Sequence, residues 1–286
     1  MDTVKIIECP RDAMQGIKYF IPTPRKIEYI NKLLQIGFDT IDFGSFVSAK
    51  AIPQMADTAQ VLAGLDLSAA RSKLLAIVAN TRGAEEASAH EAIGYLGFPL
   101  SISETFQKRN TNKSISEALN TLEEIKNICS RSGKKLVTYI SMGFGNPYGD
   151  PYEADMVTGF VDILITLGSD VISLADTIGA AESAAIESLF VSVSRQFPEG
   201  EIGVHLHSTP SNAREKINAA YRGGCRRFDG ALRGFGGCPM ANDELVGNIA
   251  TEMIVSLLDD LGTSPDLDRK AFNQAMTMAD AVFARG

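Results

Sequence analysis

Short runs of β-branched and other apolar residues recur along the chain. Each closes on polar or glycine residues and is followed by a longer segment with helical spacing. The runs occupy residues 4–8, 40–43, 74–78, 96–101, 136–141, 171–175, 202–206 and 227–231, and their length and composition predict strands. Residues 74–78 read Leu-Leu-Ala-Ile-Val, apolar at every position, as expected of a parallel strand buried on both faces. The helical segments carry start and stop signals. Thr23-Pro24 supplies an N-cap and a first-turn proline for a helix that Gly37 ends. Ser114-Ile115-Ser116-Glu117 has the capping-box pattern and opens a helix running to Gly133. Further helices are predicted over residues 81–90, 151–167, 181–197, 211–222 and 241–261, with an extra one in the tail over 265–285.

Strands alternating with helices mean parallel strands joined by right-handed crossovers. Eight such units, with no glycine-rich dinucleotide fingerprint after the first strand, favour closure into a (β/α)8 TIM barrel over an open sheet. The expectation is α/β, one catalytic domain over residues 1–286, with an extra C-terminal helix. A hydrophobic fraction of 45% and a charged fraction of 22% fit a globular chain with a large core.

Charge narrows the partners. A net charge of −8 argues against nucleic acid, whose phosphates demand a surplus of clustered Lys and Arg. No apolar run approaches the ~20 residues that span a bilayer, and no basic segment followed by an apolar one opens the chain, so no membrane partner and a cytoplasmic location are expected. Cys9, Cys129, Cys225 and Cys238 have no paired spacing and read as free thiols rather than disulfides or a thiolate zinc site.

In a barrel of this type the chemistry sits where the strands end at their carboxyl side, and those positions are strongly polar here. His205 and His207 project to the same side of one strand because side chains alternate with period two. Their imidazoles are therefore placed to grip one ion, the bland alternative being two hydrogen-bonded core histidines. Asp12, after the first strand, is the natural carboxylate to join them. Imidazole with hard oxygen donors suits Mg2+ or Mn2+, whereas zinc more often recruits sulfur or a third histidine. His90, the remaining histidine, lies in a helical segment and reads as a surface residue. Gly234, Gly236 and Gly237 precede Cys238; the segment is either a mobile cover that delivers a thiol acid or base or a turn ending in a small buried hydrophobe.

These motifs together resemble the hydroxymethylglutaryl-CoA lyases. The blocks that carry the likeness are Arg11-Asp12 with Gln15, Ser45-Phe46-Val47-Ser48, Ser103-Glu104, Asn110-Thr111-Asn112, Asp176-Thr177-Ile178-Gly179, His205-Leu206-His207, Gly236-Gly237-Cys238-Pro239 and Gly247-Asn248. They occur in order over roughly residues 4–260, which is more specific than any single block. The resemblance implies a divalent metal, Mg2+ or Mn2+, held by Asp12, His205, His207 and Asn248. It also implies Arg11, Asp42, Asp176, His205 and Cys238 as catalytic positions. The implied reaction splits hydroxymethylglutaryl-CoA, or a related 3-hydroxyacyl-CoA, into acetyl-CoA and a 3-oxo acid. In that reading Arg11 stabilises the thioester enolate, Cys238 returns a proton to it, and Asp42 and Asp176 relay protons or orient their neighbours. An acyl-CoA partner would use Gln15, Ser45, Glu104, Lys108, Asn110, Thr177 and Arg233, with Lys50, Arg109 and Asn112 on adjacent loops. A homodimer is the default assembly.

The chain departs from the family pattern at several positions. Ala13-Met14 replace Gly-Leu, Asp42 replaces Glu, Asn146 replaces Cys, and Ser208 stands where an Asp follows the second histidine; Arg233 and Phe235 replace small or aliphatic residues. The absent carboxylate at Ser208 removes a group that could tune a metal-bound histidine. Two other readings remain: an aldolase or Claisen-condensing enzyme of the same metal-dependent group acting on a 2-oxo acid, and a barrel that binds a ligand without catalysis.

Overall fold

The computed structural model describes residues 3–237 and 246–283. Strands β1 (Lys5–Glu8), β2 (Thr40–Ser45), β3 (Lys73–Ile77), β4 (Ile93–Ser101), β5 (Lys135–Ser141), β6 (Val171–Asp176), β7 (Ile202–Ser208) and β8 (Arg227–Gly230) pair in parallel in chain order. β8 pairs with β1, Glu8 opposite Gly230, and β6 with β7, Ala175 opposite His205, so the sheet closes into a (β/α)8 barrel. The helices are α1 (Pro10–Gln15), α2 (Thr23–Leu34), α3 (Thr58–Ala63), α4 (Thr81–Ser88), α5 (Glu104–Thr111), α6 (Ile115–Ser132), α7 (Ala154–Thr166), α8 (Ser183–Gln196), α9 (Ala213–Arg222), α10 (Thr251–Asp260) and α11 (Arg269–Phe283). The last is the extra C-terminal helix. Among the described residues no helix is long and apolar enough to cross a membrane.

The alternation of side chains separates two buried layers. Leu74, Ala76, Phe98, Leu136, Ile140, Ile172, Leu174, Val204 and Leu206 face outward into the large core shared with the helices. Leu75, Ile77, Tyr95, Val137, Tyr139 and Val171 form a separate apolar cluster inside the barrel on the β3–β6 side. On the opposite side the positions of the same inward parity carry buried Asp42, His207, Arg227 and Asp229 and half-buried His205. One half of the barrel interior is thus a hydrophobic wall and the other a polar one, and the site lies along the polar half.

Local signals set some of the boundaries. The capping box at the start of α6 is formed by Ser114 and Glu117, and Gly133 ends that helix at φ 67°, a left-handed position that glycine adopts without a Cβ clash. The start of α2 differs from expectation. Pro22 is its N-cap and Thr23 is its first residue, because the Thr23 hydroxyl donates to Asp57 at 2.7 Å instead of capping. The helix predicted over 241–261 also needs correction. Gly247–Asn248 forms a short strand, β9, antiparallel to β7 with His207 opposite Asn248, and the helix starts at Thr251. Residues 241–245 of that expectation lie outside the described residues. His90 is not a free surface residue; it is half-buried, its ring 5.5 Å from that of Phe46.

Candidate active site

The polar cluster at the barrel mouth starts with α1. Pro10 opens this helix one residue after β1, which places Arg11, Asp12 and Gln15 on one helical face at spacings of three and four. Gln15 binds both neighbours: its Oε1 accepts from Arg11 Nη1 at 2.8 Å and its Nε2 donates to Asp12 Oδ1 at 2.8 Å. Arg11 donates through Nε and Nη2 to Asp42 on β2, the shorter contact being 2.5 Å, and through Nη1 to Asp12 at 3.1 Å. Of the five guanidinium N–H groups, these bonds occupy four and leave one on Nη2. Asp42 and Asp12 hold the guanidinium firmly cationic despite its burial. For Asp42, burial outweighs the pull of Arg11 and lifts the carboxyl to about 6.

His205 and His207 extend from β7 toward Asp12, their ring centroids 5.3 Å apart. One ligand atom from each of Asp12, His205 and His207 lies within 4.8 Å of the others. His205 Nδ1 meets Asp229 Oδ2 at 3.3 Å. An ionised carboxylate can only accept there, so Nδ1 carries hydrogen and Nε2 is the nitrogen aimed toward Asp12, 4.0 Å away. Burial disfavours charge on His205, but Asp229 and Asp12 outweigh it and raise the ring's pKa. His207 is pushed down to about 4 by burial and by His205. Burial works against ionisation of Asp12 too, yet Arg11 and the two histidines hold its pKa below the ordinary value.

The donor set fits a divalent ion. Both ring nitrogens of His207 and the side-chain oxygen of Asn248 are buried without a hydrogen-bond partner, an expensive arrangement in a protein interior unless another species meets them. Asn248 is brought beside Asp12 by β9, its Nδ2 donating to Asp12 Oδ2 at 2.7 Å and to Phe235 O at 2.9 Å. A carboxylate, two imidazoles and an amide oxygen, with the ionised group held ionised and His207 held neutral, suit a hard or borderline cation.

A cavity of about 320 Å³ opens onto this cluster. Among the sequence-predicted residues, Arg11, Asp12, Gln15, Asn110, Thr177, His205 and His207 line it, and Asn248 is bonded directly behind Asp12. Apolar side chains including Ile52, Ile77, Phe106 and Tyr139 complete the wall. Others are placed elsewhere. Ser45 lines a neighbouring cavity of about 270 Å³, with its hydroxyl donating to Ile77 O at 3.2 Å. Glu104 and Lys108 form an exposed pair at 3.0 Å, Arg109 packs over the Tyr148 ring, and Arg233 pairs with Asp280 of α11 at 2.7 Å. Asp176 is bonded to Lys216 Nζ at 2.8 Å, and that ammonium also donates to His207 O. Asp42 and Asp176 therefore stand outside the cavity lining, each spent on a buried cation. Cys238 lies outside the described residues; Gly237 before it lines the cavity.

Two groups that support the cluster were missed at the level of sequence. Asp229 stands two positions after Arg227 on β8 and so shares its inward face, which is the pattern that could have singled it out. It supplies from β8 the carboxylate that Ser208 lacks on β7. Lys216 occupies an α9 position in register with buried Ala213, Ile217 and Ala220, a charged residue on an apolar face. Because groups behind metal-bound histidines typically tune affinity by 10–100-fold, Asp229→Ala should weaken Mn2+ binding by roughly that factor. Titration followed by electron paramagnetic resonance reads this directly, and an unchanged affinity would remove Asp229 from the site.

Comparison with known proteins follows the same outline. The HMGL-like family model matches residues 3–279. The chain is 35% identical over 267 residues to the cytoplasmic 3-hydroxy-3-methylglutaryl-CoA lyase of Rattus norvegicus, spanning 93% of this chain and 77% of that one. The solved structure of the HMG-CoA lyase from Brucella melitensis superposes with a TM-score of 0.92 at 31% identity, covering 99% of each chain. An HMG-CoA lyase from Acinetobacter baumannii, solved in complex with coenzyme A and 3-methylmalate, matches with a TM-score of 0.89 at 31% identity over 98% of this chain and 91% of that one.

Proposed function

The chain belongs to the HMGL-like family, and on that premise we propose that it is a carbon–carbon lyase cleaving hydroxymethylglutaryl-CoA to acetyl-CoA and acetoacetate, with Mg2+ or Mn2+ held by Asp12, His205, His207 and Asn248. The observation that carries this reading is the convergence of those four side chains at the mouth of a cavity that also exposes Arg11. When bound there, the ion would act as a Lewis acid that makes the substrate's tertiary hydroxyl easier to deprotonate.

The protein's own groups account for the rest of the chemistry. Asp12 is the only carboxylate among the described residues lining the cavity, so it contributes the local negative charge that attracts the ion. Asp229 fixes the tautomer of His205, and Lys216 fixes the strand end at His207 through its carbonyl. As the carbon–carbon bond breaks, charge moves to the thioester oxygen. Arg11 is locked by Asp42, Asp12 and Gln15 and has one N–H left for that oxygen, a preorganised cationic donor. The apolar wall of Ile52, Ile77 and Phe106 suits the uncharged part of an acyl thioester, with Asn110 and Thr177 supplying polar contacts. Cys238 is the proposed proton donor to the enolate.

Purified protein supplied with Mg2+ or Mn2+ should release acetyl-CoA and acetoacetate from hydroxymethylglutaryl-CoA and fail to do so after chelation. Absence of acetyl-CoA under both metals would reject the assignment. Release of free CoA from acetyl-CoA plus a 2-oxo acid would place the protein among condensing enzymes instead.

A further inference from the structure

Glu8 closes β1 with its side chain on the outward face, beside Ile6 of the apolar core, and is fully buried. A carboxyl group there is costly, and burial lifts its pKa to about 8. What it contacts is specific. One oxygen accepts from the backbone N–H of Leu232 at 2.8 Å and the other from the Thr251 hydroxyl at 2.6 Å. The path is open because the residue opposite Glu8 is Gly230, where a Cβ would stand 2.8 Å from the Thr251 hydroxyl oxygen and 2.8 Å from Ile254 Cδ1.

Leu232 and Thr251 are the two flanks of the segment that carries Asn248. Between them, Ala231 N donates to Ile249 O and Thr251 N to Ala231 O, so the flanks are stitched together just behind Asn248. The glycine turn packs against the same point. A Cβ at Gly236, whose φ is +89°, would stand 2.7 Å from Asn248 Nδ2 and 2.9 Å from Asp12 O. Any shift of the flanks relative to β1 therefore moves Asn248 relative to Asp12, which is anchored one helical turn after Glu8 on the same stretch of chain.

We propose that Glu8 is a positioning residue for the metal site: its carboxyl ties both flanks of residues 232–251 to β1 and so sets where Asn248 stands beside Asp12. This rests on the reading of Asn248 as a ligand given above. A carboxylic acid or an amide can serve as well as a carboxylate, since each offers one acceptor to Leu232 N–H and a second polar atom to Thr251. Glu8→Gln keeps both bonds, Glu8→Val removes both, and Thr251→Val removes one.

The test compares these three variants with the natural chain in three measurements: amide exchange at Leu232, Mn2+ titration, and kcat and KM on hydroxymethylglutaryl-CoA. Glu8→Val is expected to speed Leu232 exchange and to weaken Mn2+ binding by about tenfold each, and to lower kcat more than it raises KM. Thr251→Val should fall between, and Glu8→Gln should stay within about twofold of the natural chain on all counts. Fast exchange at Leu232 with unaltered Mn2+ affinity in Glu8→Val would overturn the proposal, as would unaltered exchange. If Glu8→Val fails to fold, Thr251→Val decides by the same two readouts. Should the natural chain not cleave hydroxymethylglutaryl-CoA, the proposed function falls, while exchange and Mn2+ affinity still decide the role of Glu8.

Discussion

Replacing Arg11 by Met is expected to lower kcat on hydroxymethylglutaryl-CoA about a thousandfold, the upper range for loss of one preorganised donor to a developing oxyanion. The size follows from the way the guanidinium is held. Asp42 grips it through Nε and Nη2, and Asp12 and Gln15 hold Nη1, so the guanidinium is fixed in place before substrate arrives, and on the proposed mechanism little reorganisation is left for the reaction itself. The same substitution leaves Asp42 buried and uncompensated, with a stability cost of about 3–5 kcal/mol. Urea unfolding separates the two effects, because kcat is measured under conditions where the variant is fully folded. Arg11→Lys should recover stability better than turnover, since an ammonium cannot reproduce the two-point contact with Asp42. A kcat for Arg11→Met within tenfold of the natural value would show that the enolate finds its stabilisation elsewhere.

Cys238→Ser should reduce turnover by roughly 10²–10⁴-fold, the range for loss of a general acid, while the Mn2+ stoichiometry stays at the natural value. A hydroxyl is somewhat smaller than a thiol and far less acidic, so the replacement is sterically mild and fails at the proton transfer. The other cysteines among the described residues do not compete for this role: Cys9, Cys129 and Cys225 are buried, and burial raises the pKa of each thiol. Metal analysis alongside kcat makes the result specific. Turnover retained in Cys238→Ser would remove this thiol from the mechanism.

The barrel was legible because several of its strands are continuous apolar runs, the composition expected of parallel strands buried on both faces, and eight such runs alternate with helical segments. The observed strands begin or end within a few residues of the predicted ones. Short elements were less visible. α1 and α5 have too few turns to display a helical period, yet α1 is the element that presents Arg11, Asp12 and Gln15 together. The helix predicted over 241–261 shows the opposite error: apolar spacing suggested a helix through Gly247 and Asn248, whereas pairing with His207 and Ser208 holds them extended.

Within the site, the two histidines were legible from strand alternation alone, and their partner Asp12 from its place after β1. The supports behind them were not, because they come from distant strands and helices that only the closed barrel brings into contact. Asp229 reaches His205 across the β7–β8 pairing, Lys216 reaches Asp176 and His207 from α9, and Glu8 reaches Thr251 from the other end of the chain. Ser208 looked like a lost carboxylate in the sequence; in three dimensions the next strand provides one. Arg233 looked like a new cation for the substrate, but its side chain is paired with Asp280 on α11, an element whose docking no local pattern specifies.

The most direct test is pulsed electron paramagnetic resonance of Mn2+-loaded protein with 15N-labelled histidine. Couplings from two histidine nitrogens are expected, reduced to one in His207→Gln and absent when His205 and His207 are both replaced. A spectrum of the natural chain with no histidine coupling, or one unaltered by these replacements, would contradict an ion held between Asp12, His205, His207 and Asn248.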